Sequence, residues 1–483
     1  MKAPSSPRTV VILGVPFHDL TLDETVDEIA RLVARRDPCY LATANLDFAA
    51  QASQDVELQR ILLEAELVLC DGKPLVWASR QVGSPLRARV AGSDLVPRLA
   101  AEAVQRNWSL FFLGGEPDSL ALAMTRLQAQ HPGLKVAGYS PPFAPLLEME
   151  HDTIAARIKA ARPDILLVAF GCPKQEKWIY MNFRRLGVPV SIGVGATVDF
   201  LAGKFRRAPG WMQAIGAEWV FRLLQEPRRL FTRYWFDLVF FVRAMQAERR
   251  ARRAQGTPPA AAPYVPVPQS GAVTTLRWPA TVDAGAIQAG LVPAPRGSGP
   301  GEILALDLSG VGFIDSSGLG LIVRGFRQLH QRGGGLVLVR PSAAVRQLLA
   351  TVRLDRVIPT VEDAGDARLA LGLRPAADAG AGGSPDTLVL ALTGDLTASS
   401  VPSTSRWLEE SWAAKPAGRT LRLDLRAVNF ADSSGLGLLV RAHRLVQARP
   451  GSRLVLSGVN ANVRNVIGLA RLDRLFEFAE DHA

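Results

Sequence analysis

The chain runs to 483 residues, more than one ordinary hydrophobic core organises, so two to four domains are expected. Its 48% hydrophobic and 21% charged residues are globular values, while a formal net charge of +11 invites a polyanion or an anionic membrane as partner. Cys39, Cys70 and Cys172 form no C-x-x-C pair, and the six histidines show no H-E-x-x-H spacing, which argues against a disulfide framework or a zinc site and for a reducing compartment.

In chain order, the apolar run from Val10 to Phe17 comes first and is followed at once by His18, Asp19 and Asp23. It lacks the length and cleavage site of a signal peptide and reads as the first buried strand. No stretch approaches the ~20 apolar residues that span a bilayer, so the chain is expected to be cytoplasmic or peripheral on the inner face of the cell membrane. Apolar runs such as 110-LFFLGG-115, 165-ILLVAFG-171 and 189-PVSIGVGA-196 then alternate with amphipathic stretches such as 118–130. That alternation predicts an α/β domain with a parallel sheet over residues 1–253. Residues 254–272, rich in Pro and Ala, read as a linker.

Beyond it the sequence repeats itself. The segment 305-ALDLSGVGFIDSSGLGLIVRGFRQL-329 matches 422-RLDLRAVNFADSSGLGLLVRAHRLV-446, with Asp315 and Asp432 lying 117 positions apart. A repeat that long is a domain duplication, because solenoid units are far shorter. The two small α/β copies are placed at 273–374 and 386–483, with a second linker at 375–385.

In the first domain, glycine-rich turns follow several strand ends, where parallel sheets bind ligands. The backbone N–H groups of Gly114, Gly115, Gly193 and Gly195 either line a phosphate or base, or only close tight turns; their recurrence on successive strand ends favours a nucleotide pocket. The absence of G-x-x-x-x-G-K-[ST] and of a G-x-G-x-x-G after the first strand argues against an NTPase or a dinucleotide dehydrogenase. Asp71 follows an apolar strand and precedes Gly72, so its carboxylate either projects into the crevice as a proton acceptor or caps the next helix.

Taken together, 43-TAN-45, 71-DG-72, 89-RVAGSDL-95, 113-LGG-115, 172-CPKQE-176, 199-DFLAGKFRRAP-209 and 218-EWVFRLLQEPRRLFTRY-234 resemble the WecG/TagA/CpsF glycosyltransferase family, in order from about Val10 to Tyr234. The resemblance implies transfer of a sugar, N-acetylmannosamine or a relative, from a UDP-sugar to a polyprenyl-diphosphate-linked acceptor, with inversion and without a metal or other cofactor. By position, Asp71 resembles the general base, Thr43 and Asn45 the donor-pocket residues, and Arg89 the arginine beside the departing diphosphate. Lys174, Gln175 and Asp199 match nucleotide-site positions. Cys172 departs from the polar residue common there.

From Arg222 to Arg253 nine arginines stand against Glu226, Asp237 and Glu248, a local net of +6, among Trp219, Phe221, Phe231, Tyr234, Trp235, Phe236, Phe240 and Phe241. Such an appendage (about 219–253) suits an interface-lying helix on anionic lipid, against the alternatives of nucleic acid, for which no motif is present, and of aromatics packed into the domain's own core. The family resemblance implies that Arg222, Arg229 and Arg233 close over a diphosphate.

Each C-terminal copy carries D-S-S-G-L-G before an amphipathic helix and resembles the STAS domain of anti-anti-sigma factors. That resemblance makes Ser316 and Ser433 positional matches of a kinase target and implies a protein partner for the pair; the alternative is that Asp-Ser-Ser merely caps the helix. The leading expectation is a membrane-peripheral glycosyltransferase of polysaccharide or cell-wall precursor synthesis, regulated through STAS. The rival is a catalytically idle scaffold for STAS signalling.

Overall fold

The structure is a computed structural model that describes residues 7–205, 208–209, 212, 218–255, 273–297, 299–371, 386–397, 400–414, 419–470 and 472–479. The expected linkers at 254–272 and 375–385 lie outside these, apart from Ala254 and Gln255.

The run from Val10 to Phe17 is a hairpin rather than one strand. β1 (Thr9–Ile12) and β2 (Val15–His18) pair antiparallel, apart from the main sheet, and Leu13 and Gly14 turn between them with positive φ. The glycine at the turn is what the single-strand reading overlooked. The main sheet is formed by β3 (Cys39–Ala44), β4 (Leu67–Cys70), β5 (Ser109–Gly114), β6 (Lys135–Tyr139), β7 (Ile165–Ala169) and β8 (Val190–Gly193). It is six-stranded and wholly parallel, in the order β4-β3-β8-β7-β5-β6. Side chains alternate between its two faces: Phe111 and Leu113 enter one apolar cluster with Trp178, Leu110 and Phe112 the other with Leu99. With all strands parallel, their carboxyl ends open on one edge, and the glycine-rich turns, Asn45 and Asp71 all sit there.

The appendage is two helices, Glu218–Gln225 and Pro227–Ala254. The second is long enough to leave the sheet domain and pack against the first repeat copy, and its Ala251 is buried in the core of that copy.

The copies share one design. β9 (Val273–Arg277), β11 (Ile303–Asp307), β13 (Gly335–Val339) and β14 (Thr360–Val361) form a parallel sheet ordered β14-β13-β11-β9, with short β10 (Thr281–Val282) and β12 (Phe313–Ile314) paired beside it. In the second copy β15 (Thr387–Thr393), β16 (Thr420–Ala427), β17 (Arg453–Ser457) and β18 (Glu477–Phe478) repeat the pattern as β15-β16-β17-β18. The repeated helices are Ser316–Gln331 and Ser433–Gln447. Asp315 accepts from Ser317 N and Gly318 N, and Asp432 from Ser434 N and Gly435 N, so the aspartate of each motif is the helix cap.

Candidate active site

Asp71 is held at the edge of the sheet by the backbone on both sides. Its N–H donates to Ala44 O at 2.9 Å, and Val90 N donates to Cys70 O at 2.8 Å, which stitches the segment carrying Arg89 to the end of β4. The following helix, Lys73–Gln81, has Gly72 at its cap and no side-chain cap bond, so the Asp71 carboxylate is not consumed as a cap. Burial pushes that carboxyl up to about 6; Arg89 and Arg222 act against the rise, while Glu218 and Asp94 add to it.

Arg89 is clasped by two carboxylates: Nη2 donates to Asp94 Oδ2 at 2.8 Å and Nη1 to Glu218 Oε2 at 2.6 Å. Glu218 opens the first appendage helix, and Arg222 follows one turn later on the same face. The Arg222 guanidinium lies 5.3 Å from the Phe200 ring centre, and its buried Nε has no hydrogen-bond partner. The appendage thus roofs the cleft with one acid and one arginine, and Arg222 is brought near enough to Asp71 for its charge to act there. Arg233 is not: it pairs with Asp47 at 2.9 Å and spans 4.0 Å to Asp237, which anchors the long helix to the helix Leu46–Ala52. The Arg229 side chain lies outside the described residues.

The remaining expected residues are gathered at the same edge, but several spend their polar atoms on the protein. Thr43 Oγ1 donates to Gly193 O at 2.9 Å, and Asn45 caps Leu46–Ala52 by accepting from Phe48 N. Gln175 is buried; its Oε1 accepts from Gly171 N and Gly195 N, and its Nε2 donates to Glu176 at 2.7 Å. It is a strut between two turns. Gly193 is required by that strut, since a Cβ there would stand 2.6 Å from Glu176 Oε1 and 2.7 Å from Gln175 Nε2. Lys174 Nζ donates to Ala144 O at 2.5 Å and lies over Phe143 and Phe170, and burial lowers its pKa. Gly114 and Gly115 turn with φ of +97° and +81°, and Asp199 stands in the first turn of Thr197–Leu201. Cys172 is half-buried beside Glu176, whose carboxyl burial pushes up to about 7.

Glu218, Asp94 and Asp47 escaped the sequence reading. The signal for Glu218 was present in its one-turn spacing from Arg222; for the others, pairing across elements is invisible in one dimension.

Outside the cleft, the appendage has two characters. Trp219, Leu224, Phe231, Trp235, Phe236, Leu238 and Val242 are exposed, with Phe231 at 63% and Phe236 at 66%, and exposed Trp77 packs on Phe241. Further along, Met245, Glu248 and Ala251 are buried; Arg249 bonds Gln81, and Arg252 bonds both Glu248 and Ser316. The first half of the segment thus presents an exposed apolar face, while its last turns join domains. Among the described residues no helix is long and apolar enough to cross a membrane.

Ser316 and Ser433 do not face solvent. Ser316 is fully buried and accepts from Arg252 Nη2 at 2.5 Å. Ser433 is 8% exposed and donates from its N–H and its hydroxyl to the two oxygens of Glu57, at 2.6 and 2.8 Å. Both motifs look inward, onto the first domain.

Residues 10–255 match the Glycosyl transferase WecG/TagA/CpsF family, and residues 240–367 and 381–483 match the STAS domain. The chain is 30% identical over 224 residues to the N-acetylglucosaminyldiphosphoundecaprenol N-acetyl-beta-D-mannosaminyltransferase of Bacillus subtilis (strain 168), covering 46% of this chain and 86% of that protein. It is 28% identical over 256 residues to the enzyme of the same name from Staphylococcus aureus (strain MW2), covering 52% and 98%. The anti-sigma factor antagonist SpoIIAA in its unphosphorylated form superposes on 20% of this chain and 83% of its own, at 21% identity and a TM-score of 0.17. The chain belongs to the WecG/TagA/CpsF family of glycosyltransferases and carries two STAS domains behind its transferase domain.

Proposed function

We propose that the transferase domain moves an N-acetylmannosamine-type sugar from a UDP-sugar to the hydroxyl of a polyprenyl-diphosphate-linked sugar, in the synthesis of a cell-wall or polysaccharide precursor. The observation that carries the reading is the gathering of Asp71, Arg89 and Arg222 at the carboxyl edge of the sheet, where Asp71 feels both arginines. The named relatives from Bacillus and Staphylococcus support the sugar and the acceptor class.

In this mechanism the acceptor oxygen attacks the anomeric carbon from the face opposite the nucleotide. The new C–O bond forms as the bond to the diphosphate breaks, and its electron pair leaves with UDP. The hydroxyl proton passes to Asp71, whose raised pKa suits a base working near neutrality. Charge builds on the diphosphate, where the planar, permanently charged Arg89 and the spare donor of Arg222 meet it. Backside attack inverts the anomeric centre. The exposed face around Phe231 and Phe236 would lie on an anionic membrane that presents the acceptor. Phosphorylation at Ser316 or Ser433 by a kinase would act on the seams between domains. Radiolabelled sugar transfer from UDP-N-acetylmannosamine to a synthetic prenyl-diphosphate-linked N-acetylglucosamine is the test; no transfer with this and related UDP-sugars overturns the reading and leaves the idle scaffold.

A further inference from the structure

The two D-S-S-G-L-G helices are nearly the same in sequence, yet the same positions meet different partners. In the first STAS domain the core is continuous with the transferase: Val11 of the hairpin, Leu63 and Ala251 enter one apolar cluster with Trp278, Leu306 and Leu319. In the second, the buried cluster is built of that domain's own residues, and among the described apolar residues of the transferase only the half-buried Leu147 packs on it.

The equivalent glycines show the difference at atomic scale. A Cβ on Gly320 would collide with the backbone carbonyl of Thr9, so strand β1 lies flush on that helix. A Cβ on Gly437 would meet only side-chain ends, Met181 Cε at 3.6 Å and, from its own helix, Arg441 Nη1 at 3.8 Å. One seam is closed by backbone and the other by a flexible thioether.

The serines diverge too. Ser316 meets the Arg252 guanidinium, whereas Ser433 meets the Glu57 carboxylate. Glu57 takes the first amide of Ser433–Gln447, the one that Asp432 leaves over, and a carboxylate is well placed there against the helix dipole. Three residues along, Arg60 pairs with Asp395 at 2.7 Å and lies 5.3 Å from the Phe430 ring centre. Lys177 holds Glu57 from behind at 2.9 Å. The seat is thus a set of polar contacts, and it borders open space: a cavity of about 1220 Å³ is lined by Glu57, Arg60, Asp395 and Ser433 together with Phe326 and Arg356 of the first STAS domain. Polar interfaces of this kind are those that exchange, whereas a shared apolar core does not.

We infer that the second STAS domain is a releasable module whose binding face recognises a helix bearing Glu-x-x-Arg, and that the transferase helix Val56–Glu64 occupies this face in cis, while the first STAS domain is a permanent part of the transferase core. A partner competing for the face must offer the same acid and arginine, one turn apart.

The test uses the full-length chain with Arg60→Glu and, separately, Asp395→Arg, the two residues that pair across the seat. Both changes put like charges across the seat and leave the second domain's apolar core untouched. Small-angle scattering should show a larger radius of gyration for each variant than for the wild type. Limited digestion with Asp-N protease should cut before Asp378 and free an intact second domain in each variant, with the rest remaining one resistant piece. Ser433→Ala should release the domain less than Glu57→Ala, because the Ser433 N–H still meets Glu57, and adding Ser433→Ala to Glu57→Ala should change nothing further. Unchanged scattering and cleavage in both charge variants would overturn the inference, as would detachment of the two STAS domains together or additive effects in the alanine set. A cooperative near-ultraviolet melt in each variant separates release from misfolding.

Discussion

Glu218 Oε2 lies 2.6 Å from Arg89 Nη1, so the acid that opens the appendage sits on the guanidinium beside Asp71. The same charge helps to raise the Asp71 pKa to about 6. The base works ionised, so kcat/KM should fall as pH drops through about 6 and level above it. Glu218→Gln removes one raising charge, and the acid limb should move to lower pH. A limb that stays in place separates Glu218 from the chemistry.

Asp71→Asn keeps shape but loses the proton acceptor. Turnover should fall by ~10²–10⁴-fold with UDP-sugar binding preserved. Steady-state rates together with calorimetric titration of the donor check this, and near-normal kcat removes Asp71 from the mechanism.

Removing the whole appendage would also remove Glu248, Ala251 and Arg252, which hold the first STAS domain, so membrane docking is better tested by point changes. Phe231→Glu with Phe236→Glu places two charges on the exposed face. Co-sedimentation with anionic vesicles should be lost in this variant, and in the wild type it should weaken with salt. Vesicle binding equal to wild type would show that this face is not the anchor.

Gly320→Ala and Gly437→Ala are the same change at equivalent helix positions. Alanine favours a helix by up to about 1 kcal/mol, so Gly437→Ala should be neutral or stabilising. Gly320→Ala drives a methyl into the Thr9 carbonyl and should cost about 1–3 kcal/mol. Thermal melts of the two variants would show a lowered Tm only for the first; equal melts would mean that the hairpin seam yields.

The seat of the second STAS domain should weaken as pH rises. Burial and the nearby Glu57 push the Asp432 carboxyl above its ordinary 3.8, with Arg60 and the cap bonds opposing and Tyr180 also facing it. The docked form therefore holds the proton more tightly, and its stabilisation is fully present at low pH and lost as pH rises through the raised value. Scattering from mildly acidic to mildly alkaline solution should show expansion; a constant radius would argue that Asp432 keeps its charge state on release.

The sequence by itself determined the parallel α/β domain and the duplication, because these depend on period, turn residues and local spacing, and it left the capping role of Asp315 and Asp432 open. The family resemblance carried by its ordered motifs implied that Asp71 and Arg89 share one site. Only the tertiary structure decided that Val10–Phe17 turns back at Gly14, that Gln175 is a strut and that Arg233 is spent on Asp47. It alone separated Ser316 from Ser433. Identical hexapeptides carry identical local preferences, and what differs is the charge that the fold sets opposite each, Arg252 against one and Glu57 against the other, from residues 64 and 376 positions away.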